Sequence, residues 1–131
     1  MKICVTSVSD SLDAQVDQRF GRCQYFMIID SDSMQFEPVP NLALASGSGA
    51  GIQAAQLVAN KKTSVLITGN VGPKAFQALS AAGIKIITGA SGKVRDVVEK
   101  YRKGLFSETI KPTVGEHFGM KTNKEQKRGL E

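Results

Sequence analysis

The sequence predicts one α/β domain built on a five-stranded mixed sheet with helices on both faces. Three strand-like segments come before any helical periodicity, and helix and strand then alternate. That rhythm belongs to helices laid on a partly parallel sheet. The early links are short, which suits antiparallel pairing, whereas the later strands are joined through helices, which suits right-handed parallel crossovers. A chain of 131 residues encloses one core and is too short for two.

Lys2, Ile3, Cys4, Val5 and Thr6 are mostly apolar and rich in β-branched side chains, the composition of a central strand covered on both faces. A polar loop over residues 9–18 follows, and Tyr25, Phe26, Met27, Ile28, Ile29 and Asp30 form a second buried strand. Asp30, Ser31, Asp32 and Ser33 are turn chemistry, and the alternation Met34, Gln35, Phe36, Glu37 predicts a half-exposed edge strand that Pro38 ends. Beyond a Gly/Ser-rich loop, residues 52–59 present small and apolar side chains over a wide helical face. Val65, Leu66 and Ile67 read as a buried strand. Pro73 opens a helix that turns Ala75, Phe76, Leu79 and Ala82 inward, with Gly83 as its cap. Ile84, Lys85, Ile86 and Ile87 make the last strand; Val94, Val97, Val98 and Tyr101 line one face of the last helix, which Gly104 stops. This succession, with the first strand central, is the one found in ribonuclease H-like folds.

With 41% hydrophobic and 22% charged residues, the composition is that of a folded protein. No apolar run reaches the ~20 residues of a membrane span, and Met1 leads straight into a strand in place of a secretory signal, so a cytoplasmic location is expected. The pattern fades after about Ser107. The domain is expected to occupy residues 1–110, and residues 111–131 to form a polar, disordered tail. The net charge of +5 collects late, at Lys93, Arg95, Lys100, Arg102, Lys103 and five further cations from Lys111 onward. Aromatic residues are not interleaved with these cations, so specific nucleic-acid binding is not expected.

Ligands of open α/β sheets sit beyond the carboxyl ends of the parallel strands, where helix N-termini present free N–H groups. Three loops are expected to meet there. The first carries Arg19, Phe20, Gly21, Arg22 and Cys23, which combine cations, an aromatic ring and a soft thiol; a turn around a packed Phe20 would use the same residues. The second, Gly47, Ser48, Gly49, Ala50 and Gly51, opens a helix and lets backbone amides approach a ligand, although a flexible connection would also favour glycine. It lacks both the Lys-Ser/Thr pair of a P-loop and dinucleotide spacing, which leaves an anion without a nucleoside. The third carries Gly69, Asn70 and Gly72 ahead of Pro73 and, standing alone, reads as a tight strand-to-helix turn. Two glycine-rich helix entrances aimed at one crevice favour a bulky anion. Cys23, in a loop beside Arg19 and Arg22, is the candidate metal ligand and is expected to be accessible and to react first; Cys4 belongs to the apolar pattern of its strand. His117 stands alone in the tail segment.

Three motifs, FGRCQYF at 20–26, GAGIQAAQ at 49–56 and TGNVGPKAFQAL at 68–79, follow the opening MKICV in an order that resembles the dinitrogenase iron-molybdenum cofactor biosynthesis family. The resemblance covers residue 1 to about residue 106. It implies a ribonuclease H-like fold and a non-catalytic role in binding or carrying an iron-sulfur or iron-molybdenum cluster or its precursor, exchanged with metal-cluster donor and acceptor proteins. Cys23 stands where the family pattern has a small residue, so the resemblance assigns it no ligand role.

Enzyme chemistry is poorly provided for. A two-metal nuclease needs several converging carboxylates, but the first strand has none; Asp10, Asp13 and Asp17 lie in the loop after it, and Asp96 and Glu99 lie on an exposed helical face. Acyl transfer lacks a nucleophile beside a base. The expectation is a carrier for an anionic cluster, and the alternative is a regulatory or protein-interaction module without a cofactor.

Overall fold

Side chains of a strand alternate between the faces of its sheet, so the fully apolar first strand must feed two cores. In the computed structural model, which describes residues 1–47 and 49–114, it does so from the centre of the sheet. Among the described residues the strands are β1 (Lys2–Ser7), β2 (Tyr25–Asp30), β3 (Phe36–Pro40), β4 (Val65–Ile67) and β5 (Lys85–Ile87). The helices are α1 (Ala50–Asn60), α2 (Pro73–Ala81) and α3 (Val94–Arg102). The order across the sheet is β3-β2-β1-β4-β5. β1 runs antiparallel to β2, with Cys4 opposite Ile28, and parallel to β4, with Cys4 opposite Leu66. The expected five-stranded mixed sheet is therefore present.

One face of the sheet carries Cys4, Phe26, Ile28, Leu66 and Ile86 against Ala54, Ala55 and Val58 of α1 and Ala75 and Leu79 of α2. On the other, Ile3, Val5, Met27, Ile29, Ile67 and Ile87 meet Val94, Val97 and Val98 of α3. Helices thus cover both faces, as the apolar periodicities require. None of the described helices is long and apolar enough to cross a membrane.

The edges depart from expectation. β3 begins two residues later than the alternation suggests and continues through Pro38, which sits opposite Met27. An edge strand has one unpaired row of N–H groups, so proline can be accommodated there. Met34 instead belongs to the turn, in a left-handed conformation (φ 63°), with its amide 2.8 Å from the Asp30 carbonyl. A 3-10 turn over Leu42–Ser46, unforeseen ahead of the Gly/Ser-rich loop, is capped by the Asn41 side chain, which accepts from the Ala43 amide. At the opposite edge, residues beyond α3 lie along β5: the Thr109 amide donates to the Ile86 carbonyl at 2.7 Å, and the Thr113 amide donates to the Val71 carbonyl at 3.0 Å. Thr113 thus hydrogen-bonds to the loop after β4. The rest of the expected tail, including His117, lies outside the described residues.

Candidate functional site

The polar ends of β1 and β4 are stitched together first. Thr6 Oγ1 donates to the Asp17 carbonyl (2.7 Å) and shares a second bond of 2.7 Å with Thr68 Oγ1, both hydroxyls being buried. Asp17, expected in an open loop, is only 5% exposed; its carboxylate accepts the Arg19 amide at 3.1 Å and lies 3.6 Å from Arg19 Nε. The chain then runs beside the end of β4. Phe20 donates its amide to the Asn70 carbonyl (3.2 Å), and Asn70 Nδ2 donates to the Gln18 carbonyl (3.3 Å).

Close approach here depends on missing side chains. A Cβ on Gly69 would fall 2.6 Å from Gln18 Cα and 2.7 Å from its carbonyl oxygen. One on Gly21 would lie 3.1 Å from Gly51 Cα, and one on Gly51 would lie 3.2 Å from Ala75 Cβ. Residues 19–23 are thereby brought onto the entrance of α1, and that entrance onto α2. Arg22 Nη2 donates to the Gly47 carbonyl at 3.1 Å. Gly49 precedes α1 with φ 87°, a conformation that disfavours side chains.

The helix entrances differ in how they are closed. The first amides of α3 are satisfied by backbone, Val94 donating to Ala14 (2.9 Å) and Arg95 to Leu12 (2.8 Å). Neither α1, entered at Gly49 and Ala50, nor α2, entered at Gly72 and Pro73, has a side-chain cap. First-turn N–H groups have no intrahelical partner, so the α1 entrance offers donors, and both entrances offer the positive end of a helix dipole to an anion; Pro73, the first residue of α2, has no N–H to give.

The structure brings Arg19, Gly21, Arg22, Gly47, Gly49, Ala50, Gly51, Gly69, Asn70 and Gly72 to one end of the sheet. Ser48 lies outside the described residues. Phe20 is spent on the core, its ring packed on Phe26 with centroids 5.7 Å apart. Gly72 has φ −78°, and a Cβ there would find ordinary contact with Val114 at 3.8 Å, so its glycine is not demanded locally.

Cys23 requires a correction. Expected as an exposed loop thiol, it is 0% exposed and shares a core with Cys4. The polypeptide turns inward after Arg22, and Asn41 holds it there by donating to the Cys23 carbonyl (2.9 Å) and the Gly21 carbonyl (3.2 Å). Burial, reinforced by the Asp17 charge, pushes the Cys23 thiol well above the usual thiol range; burial also pushes Cys4 up. Native protein should therefore protect both thiols from an alkylating reagent, with labelling of each limited by opening of the chain. Rapid modification of Cys23 alone would contradict its burial. Because both pKa values are raised in the folded state, this contribution to stability is complete below the unfolded thiol pKa of about 8.5 and declines at higher pH.

A fourth loop joins the site without having been expected. Gly89 donates its amide to the Gly69 carbonyl (2.8 Å), Ala90 donates to the Thr68 carbonyl (3.1 Å), and Gln18 Nε2 reaches the Ala90 carbonyl (2.9 Å). The available signal is the repeated Ile-Thr-Gly at 67–69 and 87–89, which marks equivalent ends of two parallel strands. No group of three His, Cys, Asp or Glu side chains suited to a metal ion occurs among the described residues. The local chemistry is amide and guanidinium donation, which recognises an anion through its surface atoms.

A family model described as dinitrogenase iron-molybdenum cofactor matches residues 1–104. The chain is similar to the apo form of the orange protein from Desulfovibrio gigas, with 42% identity and a TM-score of 0.83 over 85% of this chain and 94% of that one. A Thermotoga protein of the DUF35 family is 32% identical, with a TM-score of 0.73 over 86% and 97% of the two chains. An uncharacterized protein of Methanocaldococcus jannaschii is 27% identical over 93 residues, 69% of this chain and 79% of that protein.

Proposed function

Because this chain belongs to the dinitrogenase iron-molybdenum cofactor family, we propose that it binds an anionic metal-sulfur cluster, or a thiometallate precursor, as cargo in the crevice between α1 and α2. The supporting observation is the pair of helix entrances without side-chain caps, held together by the Gly51–Ala75 approach, with Arg22 over Gly47. Each helix end contributes about half a positive charge, and Arg22 adds one more, while the Arg19 charge is largely offset by Asp17 beside it. That field suits a multiply charged anion.

The cargo is an iron-sulfur or iron-molybdenum cluster precursor gripped by hydrogen bonds. Buried Cys23 lies beneath the crevice as a bystander to this grip. Holding without a thiolate bond suits a carrier that receives cargo from a donor protein and yields it to an acceptor without catalytic turnover.

Anaerobic titration of the protein with tetrathiomolybdate tests this directly. The expected result is saturable uptake with a charge-transfer spectrum altered from that of the free anion, retained in a Cys4→Ser/Cys23→Ser variant that remains folded. Raising ionic strength from about 0.1 to 1 M shortens the Debye length from about 10 to about 3 Å, so uptake should weaken over that range. Absence of uptake, or uptake indifferent to salt, would overturn the electrostatic reading.

A further inference from the structure

Residues 107–114 have no apolar periodicity, yet their polar groups engage the loops that frame the crevice. Thr109 begins the contact. Besides its amide bond to Ile86 on the open edge of β5, its hydroxyl lies 3.0 Å from the Thr88 amide and 2.8 Å from Thr88 Oγ1. Four residues later, Thr113 makes a reciprocal pair with Val71. The Thr113 amide donates to the Val71 carbonyl at 3.0 Å, while the Val71 amide donates to Thr113 Oγ1 at 2.9 Å.

Val71 is central to the geometry. Its side chain is buried in the α1/α2 core, Asn70 before it accepts the Phe20 amide, and Gly72 after it caps α2. Fixing the Val71 peptide therefore fixes the direction in which α2 begins and the place of residues 18–20 beside it. Thr88, gripped by Thr109, precedes Gly89, whose amide returns to Gly69.

Building on the anion-binding reading, we propose that residues 107–114 are a positioning strap for the crevice, in which Thr113 sets the α2 entrance and Thr109 anchors the strap to β5. The hydroxyl of Thr113 is the active element. Valine has the same branched shape but cannot accept the Val71 N–H, which would then lose its partner in a partly buried place. Serine keeps the acceptor.

The test compares full-length wild type with Thr113→Val, Thr113→Ser and Thr109→Val. It uses anaerobic tetrathiomolybdate titration, amide hydrogen exchange at Val71 and in the first turn of α2, and thermal unfolding. Thr113→Val should bind about tenfold more weakly and exchange its Val71 amide faster, and its unfolding midpoint should fall by a few degrees, the scale of one unpaired, partly buried N–H. Thr109→Val should weaken binding less, and Thr113→Ser should restore both affinity and protection. Wild-type affinity in Thr113→Val, even with faster exchange at Val71, would reduce the strap to an edge cover and overturn the proposal. Equal impairment by serine and valine would overturn the role of the hydroxyl. Lack of uptake by wild type would instead remove the anion-binding reading, and the strap's positioning role with it.

Discussion

Gly69→Ala is expected to destabilise the protein by about 3 kcal/mol or more, the upper range for forcing extra atoms into a packed region. The new Cβ would meet main-chain atoms of Gln18 at 2.6 and 2.7 Å, well inside contact distance, so no rotamer change relieves it. Either the loop over residues 17–20 must lift, breaking the Phe20–Asn70 and Asn70–Gln18 bonds, or the end of β4 must move from beneath it. Both movements displace loops that carry the proposed anion site. Urea unfolding of Gly69→Ala beside Gly49→Ala separates a clash from a conformational cost. Gly49 has φ 87° and open space around its missing Cβ, so alanine there should cost only about 1 kcal/mol for its left-handed backbone. Stability of Gly69→Ala within 0.5 kcal/mol of wild type would show that Gln18 does not press on the strand end.

Arg22→Glu should nearly abolish tetrathiomolybdate uptake while leaving the fold intact. The guanidinium lies at the surface, tied by an exposed bond to the Gly47 carbonyl. Its replacement exchanges one positive for one negative charge beside the α1 entrance. For a doubly charged anion several ångströms away, the electrostatic change is a few kcal/mol even with solvent screening, or about a hundredfold in affinity. A surface substitution outside the core is expected to alter stability by less than about 0.5 kcal/mol, so unfolding measurements on the same variant separate lost binding from lost structure. A bulky replacement of Gly49 should also reduce uptake, through obstruction and strain at the helix entrance. Undiminished affinity in both variants would place the anion elsewhere.

The two experiments probe different aspects of one design. Glycines at 21, 51 and 69 allow backbone segments to touch, which leaves amides of the loops and helix entrances near one another. The arginines then add charge at the rim. Loss of a spacing glycine should act first on folding, and loss of a rim charge first on binding.

Periodicity in this sequence was sufficient to place the helices and the strands of the sheet except for the bounds of β3. β2 and β4 are unmistakable apolar runs, and the spacing of Val94, Val97, Val98 and Tyr101 defines the buried face of α3. These signals are local, because a strand or helix repeats its environment every few residues. The glycine-rich helix entrances were legible for the same reason: the conformations and close approaches they permit follow from the residue type. What the tertiary structure alone decided concerns segments whose environment is supplied from far along the chain. Cys23 stands between polar neighbours in sequence but is covered by the core and held by Asn41, 18 residues away. Residues 107–114 show no periodicity, and those from 111 onward read as polar tail, yet Thr113 finds Val71 across 42 residues. Pro38 could remain in a strand only because that strand was an edge. A loop has no repeating period, so its burial and hydrogen bonds depend on which distant surface folds against it, and that surface exists only once the sheet has assembled.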